Sequence, residues 1–175
     1  IFDVELTYIT SRGNWYYASW KGDEEKSGGI ATNIGVHFFD MLHWIFGPLQ
    51  HQKVHVRSHD RASGVLSFKN ANVRWFLSIN AATLPEAVSQ EGGRIHRSLR
   101  FDQWSFDFTE GFTELHSRSY AHILNGKGFS ERDAQAAISI VHGMRESEIS
   151  TLDSKAHPLA SLPQDPHPFY PVKES

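Results

Sequence analysis

The chain has 175 residues, of which 39% are hydrophobic and 13% aromatic, enough to bury one core. Its net charge is −3, with 17 Lys and Arg dispersed among 20 Asp and Glu, which argues against the basic stripe of a nucleic-acid partner. Cysteine is absent, so there is neither a disulfide framework nor a thiolate zinc site, and no apolar run reaches membrane-span or signal-peptide length; a soluble, cytoplasmic protein without a membrane partner is expected.

Ile1 leads directly into strand-like sequence, so a fragment of a longer chain is the expectation. "DVELTYIT", residues 3–10, alternates with Val4, Leu6 and Tyr8 on one face, which predicts a half-buried strand. The next nineteen residues read as a loop in which Trp15, Tyr16, Tyr17 and Trp20 gather beside Arg12, Asn14 and Lys21, a composition that suggests a binding surface. "GGIATNIGVHFFDMLHWIFG", residues 28–47, predicts a helix of about three turns, starting at Thr32 or Asn33 and stopped by Gly47 and Pro48. Strands are predicted near 51–58, 63–70 and 72–81, the last two joined at Lys69–Asn72, with a further pair at 94–101 and 104–108. Helical spacing returns at Phe112, Leu115, Tyr120, Ile123 and Leu124, ending at Gly126. A last helix opens on a Ser130–Asp133 capping pattern and carries Ala137, Ile138, Val141 and Met144. The tail from Ala156, with Pro158, Pro163, Pro166, Pro168 and Pro171, reads as extended. These elements describe an α+β domain: a mainly antiparallel, open-faced sheet with helices on one face. Trp75, Phe76 and Leu77 put large apolar groups on both faces of one strand, which calls for a cover on the second face and suggests a partner chain there.

At about 100° per residue, Asn33, His37, Asp40 and Trp44 fall in one stripe of the 28–47 helix. The remaining directions carry Ile34, Phe38, Phe39, Met41, Leu42, Ile45 and Phe46, so the helix is expected to be buried and its polar stripe to meet polar partners or a wet cavity. Either His37 and Asp40 tie the helix to neighbouring backbone, or the His37 imidazole takes a proton from a hydroxyl while Asp40 orients it. His37 and Asp40 have ligand-compatible spacing, but no third ligand follows from the sequence, and no metal is predicted. Gly28, Gly29 and Gly35 do not form G-x-G-x-x-G, and no strand directly precedes them, so no dinucleotide site is expected in this chain. Arg12 is either a bidentate clamp for a carboxylate or phosphate, or a solvated strand-end charge. Trp15, Tyr16 and Trp20 either stack on a sugar or base, or pack over the helix.

The 28–47 stretch resembles the G-G-G-x-x-x-D-x-G-x-H-x-x-D-x-x-x-x-x-x-G signature of the Gfo/Idh/MocA oxidoreductases. The segments "YITSRGNWYYASWKGDEEKSGG" before it and "DFTEGFTELHSRSYAHILNGKGFSERDAQAAISIVHGMR" after the sheet resemble those of members that oxidise the 3-hydroxyl of UDP-N-acetylglucosaminuronic acid during lipopolysaccharide O-antigen synthesis. The resemblance covers the family's second half. It implies that residues 1–155 form a substrate-binding and oligomerisation domain and 156–175 its tail. It further implies that an N-terminal Rossmann domain, which holds NAD and the catalytic Lys, lies outside this chain, and that the sheet is a homo-oligomer surface. On this resemblance His37 is the catalytic acid/base and Asp40 a structural support. Asn33 occupies a position that is commonly Asp, and can hydrogen-bond a sugar hydroxyl but not accept its proton. Arg12, Asn14, Trp15, Asn33 and Tyr120 are the implied contacts to the nucleotide-sugar substrate. The other readings are a free sugar or polyol as substrate, and a non-catalytic binding or dimerisation module.

Overall fold

The computed structural model describes residues 1–110 and 114–170; Phe112, counted above toward a helix, and Pro171 of the tail lie outside the described residues. Strand β1 (Phe2–Thr10) leads into two short helices, α1 (Trp15–Ala18) and α2 (Glu24–Ser27), so the predicted loop is a chain of single turns. A π turn (Ala31–Gly35) then opens helix α3 (Val36–Phe46). Strands β2 (Leu49–Arg57), β3 (Arg61–Phe68) and β4 (Ala71–Ser78) follow, then α4 (Glu86–Gln90), which the sequence reading did not anticipate, β5 (Ile95–Phe101) and β6 (Trp104–Asp107). Helices α5 (Leu115–Leu124) and α6 (Glu131–Glu146) complete the order, and the predicted capping box at Ser130 and Asp133 is present.

The six strands form one sheet in the order β2-β3-β4-β1-β5-β6, antiparallel except for the central β1–β4 pair. This is the α+β architecture expected. Register places Gly64, Trp75, Leu6 and Leu99 in one row across the sheet. On this side α3 buries Phe38, Phe39, Leu42 and Phe46, and α6 packs beside it through Ile140, Val141 and Met144. Two glycines allow the close approach. A Cβ at Gly35 would lie 2.6 Å from the Phe39 ring and 2.7 Å from Leu77, and one at Gly64 would lie 2.9 Å from the Trp75 ring. Phe39 meets Trp75 edge-on at 5.2 Å.

β1 is buried on both faces from Val4 onward rather than half-buried, because the tail covers the other side of the sheet. Ser150 N–H donates to Val54 O (2.8 Å), and His55 Nδ1 donates to Thr151 O (3.0 Å). His157 stacks on Phe76 at 5.4 Å. Its Nδ1 accepts from Leu159 N–H (3.1 Å), which leaves the proton on Nε2 to be donated to Thr7 Oγ1 (3.0 Å). The tail is therefore not wholly extended; Pro158–Ser161 form a 3₁₀ turn, with Pro158 where its missing N–H costs nothing. Further along, the buried Arg61 pairs with buried Asp60 (2.8 Å) and donates to Leu162 O and Pro163 O, while Asn80 Nδ2 bridges Asp60 and Asp165 (both 2.9 Å). Burial by itself would raise the Asp60 carboxyl, but hydrogen bonds from Arg61, Asn80 and Ser58 outweigh it and hold the pKa below the ordinary value. Part of the cover expected from a partner chain is thus supplied by the chain's own C-terminal segment.

Candidate functional site

α3 has two unlike sides. Phe38, Phe39, Leu42 and Phe46 face the sheet, whereas His37, Asp40 and Trp44 are exposed, Trp44 at 85%, and Asn33 is partly so. The expectation of a helix buried all round does not hold. The polar stripe neither ties the helix to backbone nor sits in a closed cavity, and among the described residues the side chains of His37 and Asp40 make no hydrogen bond or ion pair. The support expected of Asp40 has no side-chain partner among the described residues. An exposed imidazole and carboxylate one turn apart, free of internal partners, are available to an external ligand.

The start of the helix sharpens this stripe. Neither Thr32 nor Asn33 caps it, since the backbone is already helical at Ile30 and runs through the π turn. At a uniform 100° per residue Asn33 and His37 would stand about 40° apart. The wider π turn advances less per residue and reduces that angle, and single π turns recur at functional sites.

The loop after β1 forms the adjoining wall. Arg12 N–H donates to Ile79 O (2.9 Å), which pins the loop to the end of β4 and leaves the Arg12 side chain exposed. Asn14 and Trp15 are exposed beside it, Trp15 at 56%. Tyr16, grouped above with the possible stacking rings, is instead a core residue at 2% exposure, and its phenolic oxygen accepts a hydrogen bond from Asn33 Nδ2 at 2.7 Å. Burial raises the Tyr16 pKa, against the lowering effects of the Asn33 bond and the nearby Arg12 charge. Tyr16 and Asn33 are thus joined, and the Arg12 charge lies near enough to act on the Tyr16 phenol. Tyr17 points the other way, against His59 (5.8 Å) and the tail's His167 (5.5 Å), and burial pushes its phenol up to about 12.

Tyr120 is not brought into this wall by any contact among the described residues; it lies on α5, a helix that buries no residue, and is 66% exposed. Clefts also lie elsewhere, among them one of about 150 Å³ between Lys21, Gly29, Arg57 and Arg145, and a second of about 320 Å³ on the tail side between Glu5, Arg74, Arg100 and Lys155. In the second, Glu5 is bridged by Arg74 (2.9 Å) and Arg100 (3.3 Å). Of the other histidines, His55 anchors the tail and His59 meets Tyr17, and among the described residues no three His, Asp or Glu side chains are grouped to hold a metal. Nor do the residues present fit a dinucleotide: Gly28 ends α2 and Gly29 enters the π turn, with no strand feeding a phosphate loop. Tyr16 as a holder of Asn33, and the π turn itself, escaped the sequence reading.

Residues 1–96 match the oxidoreductase family's C-terminal alpha/beta domain. The chain is 45% identical to the WlbA (WbpB) dehydrogenase from Thermus thermophilus in complex with NAD and alpha-ketoglutarate, over 90% of this chain and 52% of that one, with a TM-score of 0.86. Against the complex of that dehydrogenase with NAD and UDP-GlcNAcA the identity is 44%, over 90% and 51%, with a TM-score of 0.85. The WlbA dehydrogenase from Bordetella pertussis with NADH and UDP-GlcNAcA, at 17% identity over 84% and 54% and a TM-score of 0.59, shares the fold. The chain spans about half the length of these relatives. No helix among the described residues is long and apolar enough to cross a membrane.

Proposed function

Because the chain belongs to the Gfo/Idh/MocA oxidoreductase family as its C-terminal alpha/beta domain, we propose that it is the substrate-binding half of an NAD-dependent dehydrogenase acting on the 3-hydroxyl of UDP-N-acetylglucosaminuronic acid. The observation that carries this is the Asn33–His37–Asp40 stripe, with His37 and Asp40 exposed, on a helix whose opposite side is core, beside the exposed Arg12. The nicotinamide belongs to the part of the enzyme that the relatives' additional length supplies. Within this chain the chemistry is proton transfer and grip. A His37 ring nitrogen, Nδ1 or Nε2, takes the proton of the hydroxyl whose carbon becomes a carbonyl. Arg12 pairs with the uronate carboxylate through a bidentate fork, and Asn14 and Trp15 extend the wall along the nucleotide-linked sugar. Such an enzyme works where nucleotide sugars and NAD are both found, in the cytoplasm. The family also implies self-association through the sheet, and the Glu5–Arg74–Arg100 cluster beside the tail would lie in that contact.

Turnover by the full-length enzyme tests the reading. NAD reduction is expected with UDP-N-acetylglucosaminuronic acid, and calorimetry should show tighter binding of the UDP-linked uronate than of free uronate or polyol. Equal preference for a free sugar would overturn the substrate, and no turnover of any sugar would leave a non-catalytic module. Sedimentation should give a dimer or tetramer; a monomer would remove the sheet contact.

A further inference from the structure

Tyr16 sits with its ring in the core, edge-on to Trp15 at 5.8 Å and to Tyr17 at 6.1 Å, and with its phenolic oxygen 2.7 Å from Asn33 Nδ2. Asn33 opens the polar stripe, one turn before His37. Asn33 Oδ1 has no hydrogen-bond partner among the described residues. We propose that Tyr16 is a positioning residue of this site: it grips the Asn33 amide by its nitrogen and so turns the Asn33 carbonyl outward as an acceptor for a donor group on the substrate. The proposal rests on the dehydrogenase reading above.

The chemistry of the amide gives this consequence. An Asn on a helix surface presents either its carbonyl or its NH₂, and its torsions are free unless something holds them. With one Nδ2 hydrogen committed to a buried phenol, the amide is fixed in orientation and its unpartnered carbonyl is the acceptor it offers outward. That carbonyl selects an O–H or N–H. A hydroxyl has one proton, so the group that donates to Asn33 cannot be the hydroxyl that gives its proton to His37. Asn33 therefore reads a neighbour of the oxidised carbon; for oxidation at the 3-position that neighbour is the 4-hydroxyl or the N–H of the 2-acetamido group. The anionic part of the substrate is left to Arg12. The wall thus divides its work: cation for charge, held carbonyl for a sugar donor, imidazole for the proton. An Asp at position 33 would keep an acceptor in place, with the Tyr16 hydroxyl turned to donate to it.

In the full-length enzyme Tyr16→Phe removes the hold and keeps the ring in the core. KM for the UDP-sugar is expected to rise about tenfold, more than kcat falls, with the unfolding midpoint retained. Asn33→Ala should raise KM by a similar factor, the double variant should be no worse than either single one, and Asn33→Asp should lose less affinity than Asn33→Ala. Additive effects of the two substitutions, an unchanged KM for Tyr16→Phe, or an Asp variant weaker than the Ala variant would overturn the proposal. A crystal structure of ligand-free, full-length Tyr16→Phe needs no substrate: the Asn33 amide should leave its place or take more than one rotamer. An Asn33 that does not move overturns the hold even if the enzyme turns over. A wild-type enzyme inactive on UDP-sugars would sink the function reading, and the crystal structure would still decide the Tyr16–Asn33 hold.

Discussion

The two faces of the sheet are covered by opposite means. On one face α3 lays Phe39 against Trp75 and closes the gap with rings and two glycines. On the other the C-terminal tail crosses the strands through a stacked imidazole, a buried ion pair and carbonyls held by Arg61. The apolar cover needs only one side of its helix, and so leaves the other side free to carry Asn33, His37 and Asp40. The polar cover uses its functional groups to hold itself down. The difference separates residues that hold the fold from those available to a ligand, and four changes test it.

Phe39→Ala should cost the most, about 3–5 kcal/mol of stability, because the ring is fully buried and the cavity is walled by Trp75 and Leu77. Chemical denaturation reads it; a loss under about 1 kcal/mol would mean the ring side is not the main cover. Arg61→Met should cost about 3 kcal/mol, since it strands the buried Asp60 carboxylate and frees the tail carbonyls. Faster limited proteolysis after residue 150 should accompany that loss, and an unchanged rate would detach the ion pair from the tail.

The third change concerns pH. Burial, aided by the positive charges of Arg74 and Arg100, lowers the His157 pKa from 6.5 to about 3. The unfolded chain therefore binds a proton below 6.5 that the folded chain refuses. Stability from this group is complete above pH 6.5 and falls as pH drops toward 3, by about 1.4 kcal/mol per pH unit in the interval. His59, also lowered by burial, adds to the same trend, so the quantity to read is the difference between wild type and His157→Gln. The variant should show the shallower slope between pH 4 and 6; parallel slopes would contradict a neutral, buried His157. Smallest is Trp44→Ser on the open side of α3, expected within about 0.5 kcal/mol of wild type by the same denaturation. A loss as large as that of Phe39→Ala would erase the distinction between the helix's two sides.

Strand alternation in Val4, Leu6 and Tyr8, the capping pair Ser130 and Asp133, and the stop at Gly47 were legible because each is a local signal. The stripe at Asn33, His37 and Asp40 was legible too, but its exposure was not. Periodicity counts apolar residues such as Trp44 and Ile45 without saying what covers them. The π turn left no mark, since it uses the same residue types as an α turn and differs only in its hydrogen-bond partner. Tyr16 read as one aromatic among four, because its bond to Asn33 joins residues 17 apart in sequence. The tail's role was hidden for the same reason on a larger scale: Thr7 and His157 meet across 150 positions, and Arg61 reaches carbonyls about a hundred residues away.

The account depends most on His37 as the group that moves the proton. Replacing it by Gln in the full-length enzyme removes the base and keeps a polar side chain at an exposed helix position. Turnover of the UDP-linked uronate is expected to fall by about a hundred- to ten-thousandfold, while calorimetric affinity and the unfolding midpoint stay near wild type. A turnover number equal to wild type would contradict the account.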